Sequence, residues 1–204
     1  MVTEKRFNIG ILNVQGAVSE HVNSVRKLGD NPVLVKHPDD IEMIDGLIIP
    51  GGESTTIGKL IEKYQLSSLI KEKAKQGMPI FGTCAGLILL ADQIEGFESA
   101  HLRLMDITVN RNSFGRQRES FETPIHIKGI AEDFPAVFIR APHIVTCGAK
   151  VEVLSEFEGK IVAAQQGNLL VTAFHPELTE DTSIHLHFRN IIKRCIGSID
   201  IANL

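Results

Sequence analysis

Pro79-Ile80-Phe81-Gly82-Thr83-Cys84-Ala85-Gly86-Leu87-Ile88-Leu89-Leu90 is the stretch that decides the fold of this chain. It opens as a short apolar run of the kind a buried strand carries. It then passes through Gly-x-Cys-x-Gly and continues at once into an apolar segment of helical character. A strand that turns tightly into a helix is the layout of a nucleophile elbow, which leaves one reactive side-chain atom exposed. Gly82 and Gly86 flank the turn, where a side chain at either position would crowd it. The thiol of Cys84 then lies at a helix start, where free N–H groups and the dipole favour a thiolate. The chemistry expected is covalent, through a thioester.

Upstream of the elbow, strand-like and helix-like segments alternate. Asn8–Val14 is an apolar, β-branched run, and Ala17–Leu28 carries Val18, Val22, Val25 and Leu28 at helical spacing before Gly29. Pro32–Val35 and Gly46–Ile49 are two more strand candidates, the second closed by Pro50-Gly51-Gly52. A helical stretch from Thr55 to Gln76, broken near Gln65, ends at Gly77, a residue suited to a C-terminal cap. This rhythm predicts a parallel sheet with helices on both faces and a site beyond the carboxyl ends of its strands.

From Leu104 to Phe174 the texture changes to short β-rich pieces punctuated by glycines. They are Ile107–Val109, Pro124–Ile127, Val137–Ile139, Val151–Leu154, Ile161–Gln165 and Leu169–Phe174, as hairpins or antiparallel additions require. Ser183–Ile196 reads as a closing helix with Ile184, Phe188, Ile191, Ile192 and Cys195 on one side. The expected fold is one α/β domain over residues 1–204, without repeats or a linker.

Composition excludes several classes. The chain has 204 residues, 43% hydrophobic and 23% charged, the balance of an ordinary globular domain. A net charge of −4 and no basic run give no attraction to nucleic acid or an anionic membrane. No apolar run approaches the ~20 residues of a membrane span, and Met1–Phe7 lacks the order of a secretory signal. Cys84, Cys147 and Cys195 are widely spaced and odd in number, which points to a reducing, cytoplasmic setting with neither zinc knuckle nor disulfide framework. Cys147 and Cys195 are expected as packed thiols. His185 and His187, two apart on a helix, diverge and make a poor metal site.

A nucleophilic thiol needs a base, and the base needs an acceptor that fixes its tautomer. Ala173-Phe174-His175-Pro176-Glu177 supplies both after a strand-like segment, with Pro176 stiffening the backbone so that Glu177 holds the His175 ring. Pro50-Gly51-Gly52-Glu53-Ser54-Thr55-Thr56 lies between a strand and a helix, with Ser54 or Thr55 placed as an N-cap. It lacks the P-loop pattern. For thioester chemistry, the N–H groups of Gly52 and Ala85 are candidates to bind the tetrahedral oxyanion. Gln15 and His21 follow the first strand and are candidates to order that loop, meet a partner, or serve structure alone.

Gly-x-Cys-x-Gly, a glycine turn after an earlier strand and a late His-Pro-Glu together resemble class I (triad) glutamine amidotransferases. More specifically, six segments resemble the glutaminase subunits of pyridoxal 5′-phosphate synthases. They are Leu12–His21, Pro50–Thr56, Gly82–Gly86, Arg111–Gln117, Phe138–Pro142 and Phe174–Thr179, within a likeness spanning residues 7 to about 195. Asn13 departs from a position where that family often has glycine or alanine.

The resemblance implies a flavodoxin-like three-layer fold with a mostly parallel sheet plus antiparallel additions. It implies that Cys84 is the nucleophile, His175 the base and then acid, and Glu177 the orienter. Gly52, Glu53, Ser54, Arg111, Ile139 and Arg140 would contact L-glutamine; a surface salt bridge is the plainer role for either arginine. The implied partner is a (β/α)8-barrel synthase subunit in a large hetero-oligomer, fed with ammonia sheltered from solvent. Docking activates such glutaminases. Pyridoxal phosphate would be the product of the assembly, so the chain needs no cofactor and no metal. A glutaminase for a histidine or purine synthase is the alternative, against which the Pro-Gly-Gly-Glu-Ser and Asn-Ser-Phe-Gly-Arg-Gln segments argue. A silent binding module is a third, opposed by the intact Cys84, His175 and Glu177.

Overall fold

The computed structural model describes residues 5–97, 101–111 and 120–202, with side chains through residue 197. Its first half is a βα alternation. In chain order it comprises Asn8–Leu12 (β1), Val18–Lys27 (α1), Asn31–Val35 (β2), Pro38–Ile41 (α2) and Gly46–Ile49 (β3). Ser54–Lys63 (α3), Ser67–Lys75 (α4), Ile80–Thr83 (β4), Ala85–Leu90 (α5) and Ala91–Ile94 (β5) follow. The second half is mostly antiparallel: Met105–Asn110 (β6), Ser120–Ile127 (β7), Ala131–Ile139 (β8), His143–Cys147 (β9), Glu152–Phe157 (β10), Lys160–Gln166 (β11) and Leu169–Thr172 (β12). A 3-10 turn at Pro176–Leu178 and the helix Ser183–Ala202 (α6) close the chain.

Among the described residues, ten strands form one sheet in the order β2-β1-β3-β4-β12-β11-β9-β6-β5, with β10 beside β11. β2, β1, β3, β4 and β12 run parallel to one another; β11, β9, β10 and β6 extend the sheet through antiparallel pairs, and β5 pairs parallel with β6 at the far edge. β7 and β8 pair as a separate hairpin. β3 and β4 are buried at every position because helices cover both faces, which explains their unbroken apolar sequence.

The period-two alternation within β4 assigns the layers. Phe81 points to α1 and α6, 5.6 Å ring to ring from Phe188 and 6.2 Å from His21. Gly82 points to the other face, where a Cβ would come within 2.6 Å of Gly86 in α5. Helix, sheet and helix make three layers, as expected. No described helix is long and apolar enough to cross a membrane.

The long helical stretch breaks where the sequence indicates: Gln65 takes φ +59° between α3 and α4, and Gly77 takes φ +98° just past α4. Other details differ. Glu53 and not Ser54 or Thr55 is the N-cap of α3, with no side-chain capping bond; Ser54 is the first helical residue. The sheet also contains β5 and β9, and a short α2 follows β2, none apparent from periodicity.

The parallel order reverses at β1, since β2 lies to one side of it and β3 and β4 to the other. That switch point opens a crevice at the carboxyl ends of the strands. Gln15 follows β1, Gly51 and Gly52 follow β3, Cys84 follows β4 and His175 follows β12.

Candidate active site

Cys84 joins β4 to α5 with φ +48° and ψ −98°, a backbone conformation disfavoured for any residue with a Cβ. The turn is held by its surroundings. Cys84 N donates to Thr172 O at 2.8 Å, and a Cβ on Gly86 would collide with Ile49 O. The side chain is 7% exposed, and its sulfur lies 3.9 Å from Ile139 O. This is the elbow that Gly-x-Cys-x-Gly forecasts.

His175 reaches the thiol from the neighbouring strand. Thr83 of β4 pairs with Thr172 of β12, so chain leaving β12 emerges beside Cys84. His175 N donates to Val137 O at 2.8 Å, which ties this segment to β8. Phe174 packs on Phe134 and Phe138, with ring centroids 5.7 and 5.5 Å apart, anchoring the preceding residue in the aromatic core. The 3-10 turn then folds Glu177 back, and Glu177 Oε1 accepts from His175 Nδ1 at 2.7 Å. That bond leaves Nε2 to face the sulfur.

Burial opposes a charge on His175, but hydrogen bonds to Cys84 and Glu177 outweigh it and raise its pKa to about 10. Burial would likewise push the Glu177 carboxyl up. The facing His21 and the bond to His175 hold it below its ordinary value instead. Thiol, imidazole and carboxylate thus form one buried, bonded series, the arrangement that activates a cysteine for acyl transfer.

The glycine turn closes one side. A Cβ on Gly51 would collide with His175 Cε1 and approach Cys84 Cβ within 3.3 Å, so only glycine lets this turn lie against both. Gly51 O accepts from Ala17 N at 3.1 Å, and Glu53 N donates to Gln15 Oε1 at 2.9 Å. A trans peptide aims its N–H opposite its carbonyl, so the Gly52 N–H points away from the Gly16-Ala17 loop.

A cavity of about 270 Å³ opens above the thiol. Gly52, Glu53, Ser54, Cys84, Ala85, Arg111, Ile139, Arg140 and His175 all line it, so every pocket residue expected from the sequence meets in one place. Glu177 lies behind His175, outside the lining. Arg111 Nη2 bonds Glu53 Oε1 and Thr55 Oγ1, both at 3.2 Å, so its salt bridge lies within the pocket wall itself. Residues 112–117 of the Arg111–Gln117 segment fall outside the described residues. The lining therefore offers two guanidinium groups and one carboxylate around a reactive sulfur, complementary to an α-amino acid.

The sequence profile of the SNO glutamine amidotransferase family matches residues 11–195. The chain belongs to the SNO glutamine amidotransferase family. It is similar to the pyridoxal 5′-phosphate synthase subunit PdxT of Geobacillus sp. (strain WCH70), 57% identical over 92% of this chain and 97% of the relative. The protein of that name from Anoxybacillus flavithermus (strain DSM 21510 / WK1) is 56% identical over 91% of this chain and 96% of the relative. Among solved structures, a glutamine amidotransferase superposes with TM-score 0.87 at 41% identity, covering 91% of this chain and 98% of that one. A further structure, PurLQS from Thermotoga maritima, shares the fold at TM-score 0.70 and 15% identity, covering 91% and 99%.

Within this family member, the lining includes two residues not expected to contact a ligand, Gln15 and Ile88. Ile88 lies one turn beyond Cys84 on α5, so helical spacing alone would have placed it there. Cys147 and Cys195 are half-buried free thiols whose pKa burial pushes up, away from the thiolate form. His185 and His187 diverge: the first is buried against His21 and the second bonds Gln165 at 2.7 Å. Among the described residues no group of three or more His, Cys, Asp or Glu side chains is arranged so that it could hold a metal ion.

Proposed function

We propose that this chain is the glutaminase subunit of a pyridoxal 5′-phosphate synthase, a single domain that hydrolyses L-glutamine and supplies ammonia to a synthase partner. The observation that carries the reading is the bonded series of Cys84, His175 and Glu177 on a strained elbow beneath the Arg111, Arg140 and Glu53 pocket.

Cys84 acts as nucleophile. His175, whose pKa is raised to about 10, takes the thiol proton and becomes an imidazolium, with Glu177 fixing the ring. The thiolate attacks the carboxamide carbon of glutamine, and the Gly52 and Ala85 N–H groups receive the oxyanion. Each such donor is worth about 2.7–4 kcal/mol of transition-state stabilisation. The His175 Nε2–H passes to the amide nitrogen, ammonia leaves and a γ-glutamyl thioester remains. Neutral His175 then takes a proton from water, whose oxygen attacks the same carbon. Cys84 departs as thiolate and glutamate is released, so one glutamine and one water yield glutamate and ammonia.

Arg111 and Arg140 bind the substrate α-carboxylate, and Glu53 accepts from its ammonium. Glycine-turn backbone, Ser54 and Ile139 complete the fit. Glutamine binding must exchange the Arg111–Glu53 pair for contacts to substrate. The partner is a (β/α)8-barrel synthase subunit in a large hetero-oligomer. The setting of the complex is the reducing cytoplasm, a reading supported by widely spaced, unpaired cysteines.

The test is ammonia release from glutamine, with and without the barrel subunit, for wild type and Cys84→Ala. Stimulation by the barrel and loss in Cys84→Ala are expected. Activity persisting in Cys84→Ala overturns the nucleophile, and failure of the barrel to stimulate overturns the partner.

A further inference from the structure

Behind the triad lies a second buried set of polar side chains that the mechanism above leaves unused. His21 of α1 is fully buried. Its Nδ1 lies 3.0 Å from His185 Nε2 of α6, and its Nε2 lies 3.2 Å from Thr83 Oγ1 of β4. The same Nε2 is 3.5 Å from Glu177 Oε2, the carboxylate oxygen that His175 does not use. Thr83 Oγ1 also accepts from Gly51 N at 3.0 Å, so one hydroxyl joins this set to the glycine turn.

Counting the hydrogens on the two imidazoles favours one tautomer. Glu177 Oε2 and His185 Nδ1 are buried with no hydrogen-bond partner of their own. If His21 carried its proton on Nδ1, His185 would have to present Nε2 as acceptor and carry an N–H on its buried, partnerless Nδ1. The lone pair of His21 Nε2 would also face a carboxylate. Both are costly. With the proton on Nε2, His185 Nε2–H donates to His21 Nδ1, only a lone pair is left buried, and the His21 N–H faces Thr83 Oγ1 and Glu177 Oε2.

We propose that His21 is a positioning residue for the glutaminase reaction: its Nε2–H holds the second oxygen of Glu177, aligning the carboxylate that orients His175. At 3.5 Å this is a close approach of the N–H dipole to a carboxylate oxygen that has no other partner, longer than a formed hydrogen bond, and in a buried site a dipole so aimed is little screened. Four ionisable groups face the ring: Glu20 from its own helix, His185 from α6, and Glu177 with His175 from the segment after β12. Burial is the largest influence on His21 and keeps it neutral, as the N–H donor role requires.

This inference rests on the triad reading, and its failure is separable from the failure of that reading. Removing the His21 N–H frees Glu177 to turn away from His175, and the misaligned carboxylate supports the imidazolium less well, so a higher pH is needed to form the Cys84 thiolate. In His21→Leu the pH midpoint for iodoacetamide alkylation of the Cys84 peptide is expected to move up by about one unit. The kcat for ammonia release should fall ~10–100-fold with little change in KM, and His21→Gln, which returns an N–H donor, should recover most of both. A purely structural role would lower the yield of folded protein without moving the midpoint.

The second measurement needs no variant. Nitrogen-15 NMR of wild type should find His21 as the neutral Nε2–H tautomer from pH 6 to 8. A wild-type alkylation midpoint in folded His21→Leu, or an Nδ1–H or cationic His21, overturns the inference while leaving a silent Cys84→Ala, and hence the triad, in place. Activity surviving in Cys84→Ala overturns the triad reading instead.

Discussion

Gly86 lies so close to Ile49 that a single added Cβ would collide with the Ile49 carbonyl oxygen. That contact sets how near α5 approaches the end of β3. It thereby fixes where the residue at the start of α5, Cys84, meets the turn after β3. Within that turn, Gly51 accepts no Cβ because His175 is already there. The site is assembled by close backbone approach, and the strained φ of +48° at Cys84 is the local consequence.

Gly86→Ala should therefore act on both stability and reactivity. Relieving the collision must move α5 or β3, at a cost of about 1–3 kcal/mol or more. Urea unfolding measures the first effect. Slower alkylation of Cys84 in the fraction that remains folded measures the second, and a variant unchanged in both would show that the close approach is dispensable.

Glu177→Gln retains an oxygen able to accept from His175 Nδ1–H but loses the charge. The pKa of His175 should fall from about 10 toward its ordinary value. Ammonia release should drop at least about tenfold in kcat with KM nearly unchanged, since the carboxylate acts on the base and not on substrate. Steady-state kinetics separates the two constants.

Arg111→Ala is expected to do the reverse. The side chain lines the pocket and bonds Glu53 and Thr55, so its loss removes substrate binding. A charge-assisted contact of about 1.5–3 kcal/mol corresponds to a rise in KM of ~10–100-fold, with kcat changed far less. A fall in kcat alone would contradict this placement.

His185 makes stability depend on pH. Burial first, and His21 second, hold its pKa down to about 3, whereas in the unfolded chain it titrates near the ordinary 6.5. Between those values the unfolded chain binds a proton that the folded chain refuses. Stability therefore rises with pH across the window and is lost on acidification. One such group contributes a loss of about 2 kcal/mol from pH 7.5 to pH 5. Urea unfolding at the two pH values should show a smaller loss in His185→Gln, and an equal loss would show that His185 is not the titrating group.

Much of this was legible in the sequence, for physical reasons. Strands buried on both faces carry unbroken apolar runs, so Gly46–Ile49 and Ile80 to Gly82 stood out, and the elbow is a local motif of five residues. His175 and Glu177 are two apart, within reach of one turn. β5 was hidden because Ala91 to Ile94 follows α5 with neither glycine nor proline to mark the change. β9 was hidden because His143–Cys147 lacks a regular buried alternation. The set behind the triad was illegible for another reason. His21, Thr83 and His185 come from α1, β4 and α6, separated by 62 and 164 positions, and only the three-layer packing brings them to Glu177.

The most direct test of the glutaminase chemistry is to trap the intermediate. Wild type mixed with glutamine in the presence of the barrel subunit is quenched in acid, digested and mapped by mass spectrometry. The expected result is a γ-glutamyl group on the peptide carrying Cys84, absent from Cys84→Ala, which also releases no ammonia. A γ-glutamyl group on another residue, or ammonia release undiminished in Cys84→Ala, would contradict it.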